Sequence, residues 1–550
     1  MQLPEIFLNQ MQALLRPDDF ACFLASYNDN TVRGLRFNPL KVDAAFDSAE
    51  LSPIRQGQVP WCSNGYYYNA DARPAKSILF NAGLFYIQEP SAMCPVEVLK
   101  PEPGHKVLDL CAAPGGKSVQ IAGHLMGGGL LVSNDASPSR SRALVKNIEL
   151  LGVTNAIVTT EMPRKLTSRF PLFFDRILVD APCSGEGMFR RDQELIKAYT
   201  ANKPEACANI QAEILQDAAK MLKPGGRMVY STCTFNTLEN EGTIRGFLDS
   251  HPNFELVKID HVTLGISSGM DGMPEVGRIF PHRAKGEGHF VALLAKKNAE
   301  DEYSDIEMRP LQNELMKERT HQPGKRIGKK QAKADARLAH AAKQKHMPAG
   351  KAGKSDKSSQ SYVSEFQNFC EKYLRCGNFN KGAVIVAHGA NLYLQAYPVD
   401  LSGIRVARSG WYLGECAKGR FVPSQALAMG LRKQDAVFSV ELSADDAMRY
   451  LKGESLDAGS SNLTFHGLNA SPENSPGKDL NFSPYIKMEF KSVPDAASLG
   501  LDCGQRKGEL IYFHEKDKPW VMMCHHGFPL GWARLVQGRL KNYLPVGWAV

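Results

Sequence analysis

Two cysteines carry the chemistry open to this chain. Cys183 lies in Asp180-Ala181-Pro182-Cys183-Ser184-Gly185, just past the apolar run Arg176-Ile177-Leu178-Val179. Cys233 lies in Ser231-Thr232-Cys233-Thr234, just past Arg227-Met228-Val229-Tyr230. A thiolate is a strong nucleophile when its surroundings favour the anion. Free cysteines more often pack as small apolar groups, and Cys22, Cys62, Cys94 and Cys207 are read that way. Cys183 and Cys233 differ because each follows the end of a predicted strand. A third run, Asp109-Leu110-Cys111-Ala112-Ala113-Pro114-Gly115-Gly116-Lys117-Ser118, joins a strand to a helix. Together the three runs suggest thiol chemistry on a substrate held beside a cofactor.

The glycine-rich run is neither of two familiar nucleotide loops. A P-loop needs glycine five positions before its Gly-Lys, and position 111 is cysteine. The staggered glycines of a dinucleotide site are also missing. What remains is a tight turn through Cys111, Ala112, Ala113, Pro114, Gly115 and Gly116, with Lys117 opening the helix. Such a turn lets a ligand approach the backbone. Asp135 closes the next strand, where an acid accepts hydrogen bonds from ribose hydroxyls. A nucleoside without a pyrophosphate fits these features, and S-adenosylmethionine is one. Lys117, Arg190 and Arg191 are candidate phosphate or cofactor contacts.

A thiol beside a methyl donor has a specific use. C5 of cytosine is a poor nucleophile. A thiolate that adds at C6 makes the ring enamine-like, and C5 can then attack a methyl sulfonium. Loss of the C5 proton and elimination of sulfur complete the reaction. Asp180 is placed to bond the N3/N4 edge of the activated base. A base must leave its stack to enter such a site.

These residues need elements to position them. From 85 to 300 predicted strands and helices alternate: strand 106–110, helix 117–125, strand 130–134, helix 137–151, strands 155–159 and 175–180, helix 204–222, strand 227–232. That pattern predicts a parallel, doubly wound α/β sheet. Ligands of such sheets bind outside the carboxyl ends of the strands, where the loop, Asp135, Asp180, Cys183 and Cys233 all fall. Residues 1–84 read as a small α+β module, 301–360 as a basic linker, 361–458 as an α+β auxiliary domain, and 485–550 as a small β-rich domain. Residues 459–484 read as a long polar loop.

The chain has 550 residues, 43% hydrophobic, with 12 cysteines and a net charge of +8. Residues 317–357 hold 13 Lys/Arg against three acids, so that segment carries +10 and the remainder −2. It reads as a solvated connector able to bind phosphates without sequence preference. No CxxC pair occurs, which argues against a zinc ribbon or a disulfide framework. No metal is expected. No apolar run reaches the length of a membrane span, and the first residues lack a secretory leader pattern. The expected location is the cytoplasm, and the expected state a monomer.

The three runs together resemble the RNA (cytosine-5)-methyltransferases. Tyr86-Ile87-Gln88-Glu89-Pro90-Ser91-Ala92-Met93, Gly185-Glu186-Gly187-Met188-Phe189-Arg190-Arg191 and Arg278-Ile279-Phe280-Pro281-His282 with Gly286-Glu287-Gly288-His289-Phe290 are similar to the bacterial small-subunit ribosomal RNA methyltransferases of the F type. The resemblance implies a Rossmann-like core that uses S-adenosylmethionine, and a PUA-like RNA-binding C-terminus. It implies that Cys233 is the nucleophile and that Cys183 assists release of the methylated RNA. It also implies an acid after the third strand that holds the adenine amino group. Glu161 is the candidate, although Met162 occupies the expected position. The implied partner is ribosomal RNA or the small ribosomal subunit. The same chemistry on tRNA and a non-catalytic ribosome-assembly protein are the alternatives.

Overall fold

Strands buried on both faces read as continuous apolar runs, and five such runs build the centre of the molecule. The computed structural model describes residues 2–42, 52, 55–69, 71–298, 357–375, 382–460, 463–466, 485–486, 513–514 and 518–550. The predicted basic linker and most of the predicted 459–484 loop lie outside them. Within that loop, Thr464–His466 forms an edge strand.

The central elements are β1 (Lys106–Asp109), α1 (Gly116–Leu125), β2 (Leu130–Asn134), α2 (Pro138–Leu150), β3 (Ala156–Thr159), β4 (Phe174–Asp180), α3 (Lys203–Met221), β5 (Leu222–Thr232) and β6 (His289–Lys296). The sheet runs β6-β5-β4-β1-β2-β3. All neighbours are parallel except β6, which is antiparallel to β5. The chain leaves β1 toward β2 on one side, while β4 lies on the other. The switch point therefore falls between β1 and β4, where a doubly wound sheet opens its ligand crevice. Apolar clusters fill both faces of the sheet.

The sequence does not signal one addition to this sheet. β7 (Val406–Arg408), from the C-terminal half, pairs antiparallel with β3 and covers that edge. Its Arg408 is buried, donates to the Val153 carbonyl at 3.0 Å and lies 3.7 Å from Glu149. A covered edge is closed to pairing with other chains.

The N-terminal module is a four-stranded sheet of Arg55–Val59, Cys62–Tyr68, Gly34–Phe37 and Phe85–Ile87, so it runs past residue 84. Two helices, Glu5–Leu14 and Pro17–Ala25, precede it. Toward the C-terminus, a six-stranded sheet takes strands from both sides of residue 485, with Ser439–Glu441 parallel to Trp520–His525. One apolar cluster joins Leu35, Phe37 and Phe85 of the N-terminal module to Val440, Val521 and Leu530 of that sheet. Cys62 and Cys94 are buried as expected, whereas Cys22 is exposed on its helix.

Candidate active site

The crevice brings the two cysteine loops together. Cys183 follows β4 and Cys233 follows β5; their sulfurs lie 3.4 Å apart and both residues are partly exposed. The loops are tied at two further points. Ser184 Oγ and Thr234 Oγ1 share a hydrogen bond of 2.7 Å, and the Gly187 N–H donates to the Cys233 carbonyl at 2.9 Å. The Cys183 thiol is pushed well up, first by its hydrogen bond with Cys233, then by burial and by the charge of Cys233. Cys183 is therefore held as a thiol.

Asp180 ends β4 beside them. Its Oδ2 accepts from Lys117 Nζ at 2.8 Å, and its Oδ1 accepts from Ser231 Oγ at 2.8 Å. His289 Nε2 lies 3.7 Å from Oδ1. Burial raises the carboxyl, but Lys117 and His289 outweigh it and hold Asp180 well below the usual carboxylate range. Burial works against the Lys117 cation too, yet Asp180, with Cys233 contributing, keeps it protonated above its ordinary value. A fixed cation, an ionised acid and two thiols thus share the switch point.

The glycine-rich turn forms the opposite wall. Gly115 takes φ 115°, a conformation that favours glycine, and caps α1 without a side chain, so the first-turn N–H groups have no side-chain cap. Asp109, fully buried beneath the turn, accepts from Ser118 Oγ at 2.7 Å through Oδ2, while Oδ1 has no partner. Burial pushes its carboxyl up to about 7. Ala112 and Ala113 are buried and Pro114 is exposed. Burial pushes the Cys111 thiol up, far from a reactive anion. Asp135 follows β2 and accepts from the N–H of Ala113 at 3.2 Å and of Ser137 at 2.9 Å.

Glu161 is committed elsewhere. Its side chain is 2% exposed and accepts from Lys165 Nζ at 2.9 Å, Arg405 N at 2.7 Å and Arg405 Nη2 at 3.3 Å. It clamps the start of β7 to the sheet edge, while its neighbour Met162 is 62% exposed. Arg190 is not a free phosphate contact: it is buried against Glu287 at 2.7 Å and the Ser26 carbonyl at 2.7 Å. Arg191 reaches the Val32 carbonyl at 3.3 Å. Both arginines order the loop that carries Cys183, because Glu287 is a buried acid that must be paired.

Sequence reasoning missed Ser231 and His289 as partners of Asp180. His289 had a signal, since it stands in the Gly286–Phe290 run. It also missed Glu239, in the π-turn Leu238–Gly242 after the Thr-Cys loop, whose Oε2 accepts from the Ser184 N–H at 2.8 Å and from Gln211 Nε2 at 3.0 Å. Among the described residues, no group of three or more His, Cys, Asp or Glu is arranged to hold a metal ion, and no helix is long and apolar enough to cross a membrane.

Four family models match the chain in order. Residues 3–90 match the N-terminal domain of 16S rRNA methyltransferase RsmF, 96–295 match 16S rRNA methyltransferase RsmB/F, 368–431 match the RsmF rRNA methyltransferase first C-terminal domain, and 506–550 match the methyltransferase RsmF PUA domain. The chain is 36% identical over 303 residues to ribosomal RNA small subunit methyltransferase F of Erwinia tasmaniensis, covering 53% of this chain and 63% of the relative. It is 36% identical over 312 residues to the protein of that name from Klebsiella pneumoniae, covering 54% and 64%. The chain thus spans just under two thirds of the length of these relatives. The crystal structure of PH0851 aligns with a TM-score of 0.50 and 28% identity over 54% of this chain and 66% of that one. The fold is a Rossmann-like methyltransferase core with an N-terminal RsmF domain and a C-terminal PUA domain, and the core is similar to the 16S rRNA methyltransferase RsmB/F family over residues 96–295.

Proposed function

We propose that this chain methylates C5 of a cytosine in small-subunit ribosomal RNA, with S-adenosylmethionine as donor and a covalent bond between Cys233 and C6 of the base. The observation that carries the reading is the pair of sulfurs 3.4 Å apart beside an ionised Asp180. The family's description and the names of the relatives supply the substrate class.

The turn fits the donor. Its uncapped N–H groups suit a carboxylate, the unpartnered Asp109 oxygen is a buried acceptor in want of a donor, and Asp135 keeps lone pairs for ribose hydroxyls. Residues Cys111 through Lys117 with Asp135 would hold it. When bound, it supplies a methyl group on a sulfonium, an electrophile for C5.

The chain's own residues do the rest. Lys117 places a positive charge near Cys233, which favours the thiolate that adds at C6. Asp180, held ionised, accepts from the N4 amino group and so orients the base. Cys183 is held as a thiol during this addition. Once Cys233 is bonded to carbon, its charge and its hydrogen bond to Cys183 are spent. Cys183 then gives its proton to solvent, and the resulting thiolate takes the C5 proton. The C6–S bond breaks, its electrons leave with Cys233 as a thiolate, and the C5–C6 double bond returns. Expected partners are the RNA or the small subunit itself, with the chain acting as a cytoplasmic monomer.

The test is transfer of labelled methyl to unmodified small subunits, large subunits and tRNA, followed by nucleoside analysis. Label in 5-methylcytidine from small subunits, abolished by Cys233→Ala with donor binding retained, is the expected result. Label confined to tRNA would overturn the substrate. An active Cys233→Ala variant would overturn the nucleophile.

A further inference from the structure

The first helix of the N-terminal module touches both cysteine loops. Glu5–Leu14 buries Phe7 and Met11 in an aromatic cluster with Phe189, from beyond the Pro-Cys loop, and Phe235, from beyond the Thr-Cys loop. Phe7 meets Phe189 edge-on at 5.1 Å. Gln10 shares this helical face, three residues from Phe7. Its Nε2 donates to Glu186 Oε2 at 3.1 Å, and its Oε1 accepts from Asn236 Nδ2 at 2.7 Å. Glu186 stands three residues after Cys183; Asn236 stands three residues after Cys233.

The orientation of this chain of bonds is fixed at both ends. Asn236 Oδ1 accepts from the Leu238 N–H at 2.9 Å, so its amide nitrogen must face Gln10. Glu186 is an acceptor that already takes the Phe235 N–H at 3.1 Å and the Tyr199 hydroxyl at 2.7 Å. Only a side chain that donates on one side and accepts on the other fits between them. A carboxylate or an ammonium at position 10 would leave one buried partner unmatched. Glu186 is fully buried and Asn236 is 9% exposed, so each depends on protein partners.

We propose that Gln10 is a positioning residue that sets the spacing of the two cysteine loops by bridging Glu186 to Asn236. The proposal rests on the methyl-transfer reading above. It makes the N-terminal helix part of the catalytic wall, although Gln10 touches neither sulfur. Small errors in the placement of reacting groups cost rate rather than affinity.

The variant to make is Gln10→Met, which keeps the volume and removes both bonds. The readouts are kcat and KM on small subunits, and the rate of covalent trapping by 5-fluorocytidine-containing RNA. The expected result is a kcat lower by roughly tenfold or more, trapping slowed by the same factor, and an unchanged KM. An unchanged kcat, or a raised KM at full kcat, would overturn the proposal. Should Gln10→Met fail to fold, Asn236→Asp keeps the acceptor for Leu238 and removes the donor to Gln10; it should show the same loss, and full activity there would sink the idea. The unmodified protein runs in the same assay. If it makes no 5-methylcytidine, the methyl-transfer reading itself falls. An active unmodified protein beside an equally active variant removes only the role of Gln10.

Discussion

Cys183 and Cys233 announce themselves because each is an unusual residue in a fixed setting at a strand end. Their partners do not. Lys117 was legible within the glycine-rich run, but its pairing with Asp180 depends on which loops face each other across the switch point. Glu161 shows the opposite failure: an acid at a strand end looks available until Arg405, 244 positions along, takes its oxygens. Glu239 had no local signal at all. It is fully buried with Oε1 unpartnered, and burial pushes its carboxyl up to about 7. The folded state therefore binds a proton that the unfolded chain releases near 4.5. This contribution to stability is fully present below about 4.5 and is lost as pH rises through about 7, by up to about 3 kcal/mol. Melting temperature should fall from pH 5 to pH 8. Glu239→Gln keeps the acceptor for Ser184 and should flatten that slope; a slope left intact would assign it to other groups, Asp109 among them.

At the scale of elements, the alternation of strands and helices was readable because apolar runs buried on both faces leave few other folds. The predicted strands and helices of the core appear within a residue or two, with β5 starting earlier, at Leu222. β7 was not readable. Three residues, Val-Ala-Arg, carry no strand pattern, and only the open edge of β3 gives them a partner. Arg408 anchors this addition. Removing it strands Glu149, which burial already pushes up, and leaves the Val153 carbonyl without its donor. Arg408→Leu should cost on the order of 2–4 kcal/mol, read as a lower melting temperature. A melting temperature within a degree of the unmodified protein would show that β7 is held by its backbone alone.

At the scale of the whole molecule, the N-terminal sheet and the C-terminal six-stranded sheet share one apolar cluster, and the first helix reaches the cysteine loops. Composition cannot forecast such long-range packing, since each segment taken alone reads as a separate module. The basic segment 317–357 stands apart by its charge of +10 in the sequence, which suits the phosphates of a large RNA. What unites these parts is a single claim: the molecule presents a flipped cytosine to Cys233 and uses Cys183 to let it go. The measurement that tests it most directly is denaturing electrophoresis of Cys183→Ala after incubation with small subunits and S-adenosylmethionine, with mass spectrometry of any cross-linked peptide. The account predicts a slow-migrating protein–RNA adduct whose cytosine is attached at Cys233. A folded variant that forms no adduct, or an adduct attached at any other residue, would contradict it.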